Sequence, residues 1–295
     1  MARTVQPAEL RKLITERLRA LSVRTMGGQQ VWVDRLLRSG WRIQEQFITG
    51  RHRLLDPGNR QRGSGSYAHC QARLDELLPQ VLEGRHLVLM IGGLGGFRSI
   101  FGPMRRALNE AGYDTTLLSY PSTRQSIEEH ASDVETVLNR LEGVSDLTIV
   151  AHSMGGLIMR VVLAREAPWQ QHIKIHGIVM MGTPNRGARM AGLLHSNRLF
   201  RLITTEAGQN LRANNVRKLP PITCRHRLIA GSTRPGKGIN PLLRGDDDGI
   251  VAVHEVFPHG SPDRLIVRSL HQYLPRHPES IEAVKRFLKE RENGI

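Results

Sequence analysis

Short apolar runs alternate with amphipathic segments across the last two thirds of the chain. Five runs have the length and residue types of buried strands, at residues 87–91, 147–151, 173–181, 227–231 and 265–267. Apolar residues at helical spacing predict helices near residues 97–111, 126–141, 154–165 and 280–291. Strands alternating with helices are typical of a doubly wound, mostly parallel sheet. We therefore expect one α/β domain over residues 81–295.

The first 80 residues have a different pattern. Apolar residues at positions 10, 13, 14, 18 and 21 form a helical stripe in a basic segment, which Gly27-Gly28 interrupts. A second apolar and basic stretch contains Trp32 and Trp41, and residues 56–66 read as a linker rich in small and polar residues. We expect an N-terminal helical extension and linker over residues 1–80.

The amphipathic N-terminal segment has two interpretations. Such stripes usually pack on protein, here on the α/β domain or on a second subunit. Alternatively, a basic helix that carries tryptophan can lie in the interface of a membrane, so peripheral membrane contact is also predicted.

Charge and composition narrow the class of protein. The formal net charge is +15, but aromatic residues make up only 4% and the arginines are scattered, so no nucleic-acid partner is expected. The charge reflects either a compositional bias or attraction to an anionic membrane or acidic substrate. Two separate cysteines, Cys70 and Cys224, favour a reducing compartment. With no leader or spanning segment apparent, a cytoplasmic protein, possibly membrane-peripheral, is the expectation.

The most informative local pattern surrounds Ser153. The apolar run over residues 147–151 ends at His152-Ser153, and Met154-Gly155-Gly156 then opens a helical segment. This strand–turn–helix context is typical of a serine nucleophile, since the tight turn requires small flanking residues and exposes the hydroxyl. The backbone N–H of Met154 would point toward a developing oxyanion.

A serine hydroxyl needs a base, and the base needs an orienting carboxylate. Asp248 precedes Gly249 in a turn, with Asp247 as the local rival, and His271 follows the strand-like run at residues 265–267. Both are loop residues beyond strand ends, where catalytic groups of open α/β sheets collect. The competing histidines follow no strand so directly: His254, His259 and His277.

A glycine-rich loop at residues 92–96 follows the run at residues 87–91. A phosphate cradle is the weaker interpretation, because the loop lacks both the G-x-G-x-x-G pattern and a following Lys-Ser or Lys-Thr. We expect the backbone N–H groups of Leu94 and Met154 to form an oxyanion hole.

With these segments, the chain resembles the α/β-hydrolase superfamily of the lipase/esterase type, including bacterial lipases and PGAP1-like or class 2 lipase-like hydrolases. The resembling segments include residues 88–96, 113–122, 147–156, 177–189, 247–251 and 269–271. The resemblance implies Ser153 as nucleophile, Asp248 as acid, His271 as base, and Leu94 and Met154 as oxyanion donors. Relatives usually have His-Gly where this chain has Gly92-Gly93.

The resemblance also implies a small helical cap inserted at about residues 188–220. Its apolar side chains are candidates for an acyl pocket: Leu193, Leu194, Leu199 and Phe200. The resulting hypothesis is a carboxylic ester hydrolase acting on a small-molecule or lipid ester, with no metal or organic cofactor. Acyl transfer and thioester or amide hydrolysis use the same residues and stay open, as does a catalytically silent membrane-peripheral binding protein.

Overall fold

The computed structural model describes residues 31–95, 98–188, 213–234, 236–258, 260–261 and 263–292. The strands are β1 (Trp32–Arg38), β2 (Trp41–Gln46), β3 (His52–Leu55), β4 (Gln61–Gly65), β5 (Arg85–Ile91), β6 (Asp114–Leu117), β7 (Leu141–Glu142), β8 (Val144–His152), β9 (Lys174–Met181), β10 (His226–Gly231) and β11 (Arg264–Val267). The helices are α1 (Tyr67–Leu77), α2 (Gly102–Glu110), α3 (Ile127–Leu138), α4 (Met154–Ala164), α5 (Ala213–Val216), α6 (Val253–Val256) and α7 (Pro278–Glu292). Three short 3₁₀ segments cover Arg98–Phe101, Pro168–Gln171 and His271–Arg276.

The predicted parallel sheet is confirmed. Six strands run in the order β11-β10-β9-β8-β5-β6, and every pairing between neighbours is parallel. The central strands are buried on both faces, which explains their continuous apolar runs. One core cluster includes residues of α3 and α4, and the other includes residues of α2 and α7. The sheet is therefore covered by helices on both faces.

A second sheet corrects the prediction for the N-terminal region. Residues 32–65 form four antiparallel strands, β1 to β4, and not helices. With β7, which pairs parallel to β1, they make a sheet in the order β4-β3-β2-β1-β7. The linker predicted over residues 56–66 is likewise wrong at β4. Only α1 is helical within the described part of residues 31–80, and residues 1–30 lie outside the described residues.

A β-bulge is the physical reason for the error. The pairing of β1 with β2 shifts register between Asp34 and Leu36, so the buried residues Val33, Leu36 and Leu37 have helical spacing while lying in a strand. The two strands are joined at Ser39-Gly40, whose φ angles of 47° and 81° match a tight hairpin turn.

The small sheet packs on the edge of the parallel sheet through Asp34. Its backbone N–H donates to the Ser119 carbonyl at 3.0 Å, and its carboxylate accepts from the Ser119 N–H at 2.8 Å. The same buried carboxylate accepts from Arg42 at 3.3 Å and from Gln44 at 2.7 Å. These bonds occupy the segment after β6, the outermost strand on that side.

The predicted cap lies almost entirely outside the described residues. Leu193, Leu194, Leu199 and Phe200 fall within residues 189–212, and of the insertion only Ala188 and residues 213–220, which include α5, are described. Within the described ranges, no helix is both long and apolar enough to cross a bilayer.

Candidate active site

The turn between β8 and α4 presents Ser153 at the carboxyl edge of the parallel sheet. Ser153 has φ 55° and ψ −127°, a strained backbone for a residue with a side chain. Its N–H donates to the Met181 carbonyl at 2.9 Å, and its own carbonyl accepts from the Gly156 N–H at 3.1 Å. These two bonds hold the strained turn in place.

The glycines after Ser153 are required by close packing. A Cβ at Gly155 would lie 2.5 Å from the Gly92 carbonyl oxygen, and one at Gly156 would lie 2.7 Å from the methyl carbon of Met180. Neither space accepts a methyl group without displacement of a neighbour. The glycines thus let α4 begin directly against the loop after β5 and against β9.

His271 connects Ser153 to Asp248. Nε2 of His271 lies 3.0 Å from Oγ of Ser153, and Nδ1 lies 2.7 Å from Oδ2 of Asp248. Asp248 and His271 are both buried, at 1% and 6% exposure. The His271 N–H also donates to the Asp248 carbonyl at 2.9 Å. The three side chains form one hydrogen-bonded chain, although 23 residues separate Asp248 from His271 and 118 separate His271 from Ser153.

Asp247, the rival acid, has other partners. Its carboxylate accepts from the backbone N–H groups of Ile239 at 3.1 Å, Asn240 at 3.3 Å and Gly249 at 2.8 Å. Oδ1 of Asp248, the carboxylate oxygen that does not face His271, accepts from the backbone N–H groups of Ile250 at 3.0 Å and Val251 at 2.7 Å. The structure therefore brings Asp248, not Asp247, against His271, and uses Asp247 to hold the surrounding loop.

His254 and His277, the two competing histidines that the structure describes, do not form this hydrogen bond with Ser153. His254 is on α6 and His277 ends the 3₁₀ segment after His271. His259 lies outside the described residues.

The loop after β5 lies directly against Ser153. A Cβ at Gly93 would be 2.5 Å from Cβ and 3.0 Å from Oγ of Ser153. The Tyr120 hydroxyl donates to the Gly92 carbonyl at 2.5 Å, and the Gly95 N–H donates to Oγ of Ser122 at 3.0 Å, which anchors both ends of the loop. Leu94 thus sits next to a residue in contact with Ser153.

Met154 approaches the same place from the helix. It is the first residue of α4, where backbone N–H groups have no partner within the helix and the helix dipole is positive. Its backbone follows Ser153 directly. The two predicted oxyanion donors therefore lie on the two segments that flank the serine.

His152 is a site residue that the sequence reasoning did not single out. Its Nε2 lies 3.0 Å from the His271 carbonyl oxygen, and the two rings are 4.7 Å apart. Burial, together with the neighbouring His271, lowers the pKa of His152 to about 3. A neutral His152 therefore donates to the backbone of His271. The sequence offers one signal for it, its position at the end of a buried strand directly before Ser153, and this signal does not reveal the contact with His271.

Across the described ranges, no three His, Cys, Asp or Glu side chains are grouped so as to hold a metal ion.

Comparison with protein families identifies the chain. The sequence profile of a domain of unknown function (DUF7379) matches residues 61–228, which is more than half of the 295 residues. The chain belongs to the DUF7379 family. The match includes Ser153 but ends before Asp248 and His271, so two of the three hydrogen-bonded side chains lie beyond it. No curated protein matches the sequence.

Solved structures establish the fold of this DUF7379 member. The Bacillus licheniformis lipase BlEst2 superposes with a TM-score of 0.56 at 17% identity, over 70% of this chain and 92% of the lipase. The metagenomic carboxyl esterase MGS0156 superposes with a TM-score of 0.52 at 20% identity, over 72% of this chain and 78% of the esterase. The resemblance to α/β-hydrolases of the lipase/esterase type is therefore confirmed at the level of the fold.

Proposed function

We propose that this chain is a serine hydrolase that cleaves carboxylic esters through an acyl-enzyme. The observation that carries the proposal is the continuous hydrogen-bonded chain from Ser153 through His271 to Asp248, at 3.0 and 2.7 Å. A nucleophile, a base and a group that orients the base are thereby within hydrogen-bond reach of one another, which is the arrangement that activates a serine hydroxyl.

In the first step, Nε2 of His271 takes the proton of the Ser153 hydroxyl while Oγ attacks the ester carbonyl carbon. Asp248 holds the imidazole in the tautomer with its proton on Nδ1 and stabilises the positive charge that develops. Because the Asp248 carboxylate is buried and also bonded to the backbone of Ile250 and Val251, its position is fixed before substrate arrives.

The attacked carbonyl oxygen becomes negatively charged and needs donors. We assign the backbone N–H groups of Leu94 and Met154 to this role, because they flank Ser153 from two sides. Each donor of this kind is worth about 3 kcal/mol of barrier. Rigid anchoring of the loop by Tyr120 and Ser122 supports the assignment, since preorganised donors need no rearrangement during the reaction.

In the second half, His271 returns its proton to the leaving alcohol, and the C–O bond of the ester breaks to leave an acyl group on Ser153. Water then attacks this acyl group with His271 again as base, and the carboxylic acid departs as Ser153 recovers its proton. The balance of atoms needs only ester and water.

For the substrate we propose a small-molecule or lipid ester with an apolar acyl group. The lipase and the carboxyl esterase that share the fold support an ester substrate, and the apolar cap residues over 193–200 are proposed to receive the acyl chain. Acyl transfer, and thioester or amide hydrolysis, would use the same side chains with another acceptor or leaving group.

The decisive experiment combines active-site labelling with turnover. We expect a fluorophosphonate probe to label the full-length protein and p-nitrophenyl esters to be hydrolysed, with a rate that depends on acyl length. Ser153→Ala should abolish labelling, and both Ser153→Ala and His271→Ala should remove nearly all turnover with unchanged circular dichroism. Wild-type turnover in both variants would refute the assignment, and absence of both signals in the folded parent would favour a silent binding protein.

A further inference from the structure

A pocket lies away from Ser153, on the face of the parallel sheet that α4 covers. Its volume is about 480 Å³, and its walls come from α4, the loop after β9, and the segments before β10 and after α6. Ser153, Asp248 and His271 are not among its lining residues. The volume is in the range of about 300–1,000 Å³ that small-molecule sites occupy. The site and the proposed catalytic centre therefore share α4 but not their side chains.

The charge of the pocket is one-sided. Arg160, Arg186 and Arg217 all line it, and among the described residues no aspartate or glutamate does. Within the described ranges, none of the three forms an ion pair with a carboxylate, whereas arginines elsewhere do, such as Arg227 with Asp263 at 2.7 Å. Like charges that share one concave site repel one another and attract a counter-ion.

Arg160 is the fixed member of this group. Its guanidinium is largely buried and donates to three backbone carbonyls, those of Pro220 at 2.8 Å, Asn185 at 3.0 Å and Leu219 at 2.9 Å. Carbonyl dipoles hold its geometry, but they do not supply a full negative charge. Arg186 and Arg217 are exposed members of the lining.

Asn185 adds a second, independent requirement. Its side chain is 6% exposed, and its Nδ2 donates to the Val256 carbonyl at 3.0 Å. Its Oδ1 is buried with no hydrogen-bond partner among the described residues. A buried acceptor without a donor is costly, so the pocket calls for a ligand that brings an O–H or N–H group beside its negative charge.

We propose that this pocket binds a phosphate ester that carries a free hydroxyl group. The phosphate accepts charge-assisted hydrogen bonds from Arg186 and Arg217 within the field of Arg160, and the hydroxyl donates to Oδ1 of Asn185. Planar guanidinium groups suit phosphate because they bind its oxygens in pairs. The same chemistry occurs in a free polyol phosphate and in the headgroup of an anionic lipid.

Titration calorimetry of the full-length protein with glycerol 3-phosphate tests the proposal. We expect saturable binding that Arg186→Gln with Arg217→Gln weakens at least about tenfold, as loss of charge-assisted hydrogen bonds predicts. The matched control is Arg106→Gln with Arg286→Gln, which removes the same charge from exposed residues on the opposite face, on α2 and α7, and should bind as the parent does. Ser153→Ala should also bind normally, which separates this site from ester hydrolysis.

Two further measurements identify the ligand. Inorganic phosphate should bind more weakly than glycerol 3-phosphate, because it does not bring a carbon-bound hydroxyl to Asn185. Equal affinity of the two ligands would overturn the assignment of the hydroxyl group to Asn185. Sedimentation with phosphatidylglycerol vesicles, but not phosphatidylcholine vesicles, that is weakened in the Arg186→Gln/Arg217→Gln protein and unchanged in the Arg106→Gln/Arg286→Gln protein would assign the lipid source. Absence of both glycerol 3-phosphate and vesicle binding, or equal loss in the control pair, would overturn the proposal.

Discussion

Asp247 and Asp248 are neighbours in the chain, yet their carboxylates have unrelated partners. That of Asp248 meets His271 at 2.7 Å, while that of Asp247 is surrounded by the backbone N–H groups of its own loop. Both side chains are buried, so burial alone does not distinguish an orienting acid from a structural one. The distinction comes from which donors each carboxylate faces.

Replacing each acid by its amide separates the two roles. Asp248→Asn would place an N–H₂ donor or the wrong tautomer against Nδ1 of His271, and a change of this kind has lowered turnover by about 10⁴ in the serine-protease precedent. Asp247→Asn should instead lower the free energy of unfolding by about 1–3 kcal/mol, since its N–H₂ would face backbone donors, and leave kcat of the folded protein near the parent value. Ester turnover and urea unfolding of both variants provide the measurements; a larger kcat loss in Asp247→Asn would reverse the assignment.

Residue types and local order predicted which side chains come together. Ser153, Asp248 and His271 each follow a strand-like run or sit in a turn beyond one, and a parallel sheet brings such positions to one edge. His152 escaped notice as a site residue because nothing in the sequence indicates that its ring reaches the backbone of a residue 119 positions away. The catalytic roles themselves stay predictions until turnover is measured.

Among the elements, α4 begins in close contact with its neighbours. It begins at the strained Ser153, and its second and third residues are glycines because the loop after β5 and the Met180 and Thr183 side chains occupy the space beside them. Apolar periodicity predicted the helix, but only packing explains why two glycines, poor helix formers, open it.

Two glycine-to-alanine changes test this packing. Gly156→Ala would force a methyl group to within 2.7 Å of Met180 and Thr183, so we expect a loss of about 1–3 kcal/mol in unfolding free energy from overpacking. Gly102→Ala, at the start of α2, meets nothing within 4 Å and should be neutral or stabilising by up to about 1 kcal/mol. Urea unfolding of both proteins is the measurement, and equal stability of the two would contradict the packing argument.

At the scale of the whole molecule, two buried histidines make stability depend on pH. Burial lowers the pKa of His130 to about 4 and that of His152 to about 3, below the value of about 6.5 expected in the unfolded chain. Between the folded and the unfolded pKa values, the unfolded state therefore binds more protons than the folded state. The stabilisation that comes from keeping these histidines neutral is complete above about pH 6.5 and is lost as the pH falls toward their pKa values in the folded protein.

Each histidine should account for a loss on the order of 3 kcal/mol between about pH 7 and pH 4, measured as unfolding free energy in urea. His130→Phe, which retains an aromatic contact with Tyr120, should flatten this slope. The exposed His69 provides the control, because His69→Phe should leave the slope unchanged. An unaltered slope in His130→Phe would show that this residue titrates normally.

Membrane contact also belongs to the whole molecule. Trp32 and Trp41 lie in β1 and β2, and the guanidinium of Arg53 lies 3.8 Å from the centre of the Trp32 ring. The candidate for membrane contact is therefore the apolar and basic stripe predicted at positions 10–21, which lies outside the described residues. A protein that lacks residues 1–30 retains β1. If the segment binds membranes, flotation with phosphatidylglycerol liposomes should be strong for the full-length chain and lost on this deletion, with Arg186→Gln and Arg217→Gln in both proteins to remove binding through the arginine-lined pocket. Equal flotation of both proteins would exclude this role of the segment.

The sequence by itself determined the parallel α/β sheet, its helices and the order of Ser153, Asp248 and His271. Hydrophobic periodicity and turn-forming residues are local properties, so they can be recognised from the sequence alone. Tertiary structure decided the rest. A bulge gave β1 a helical pattern, and the choice between Asp247 and Asp248 depended on the direction of two carboxylates. The arginine-lined pocket exists only because α4 and the segments before β10 and after α6 meet in space. Such features depend on contacts between distant residues, which no local pattern contains.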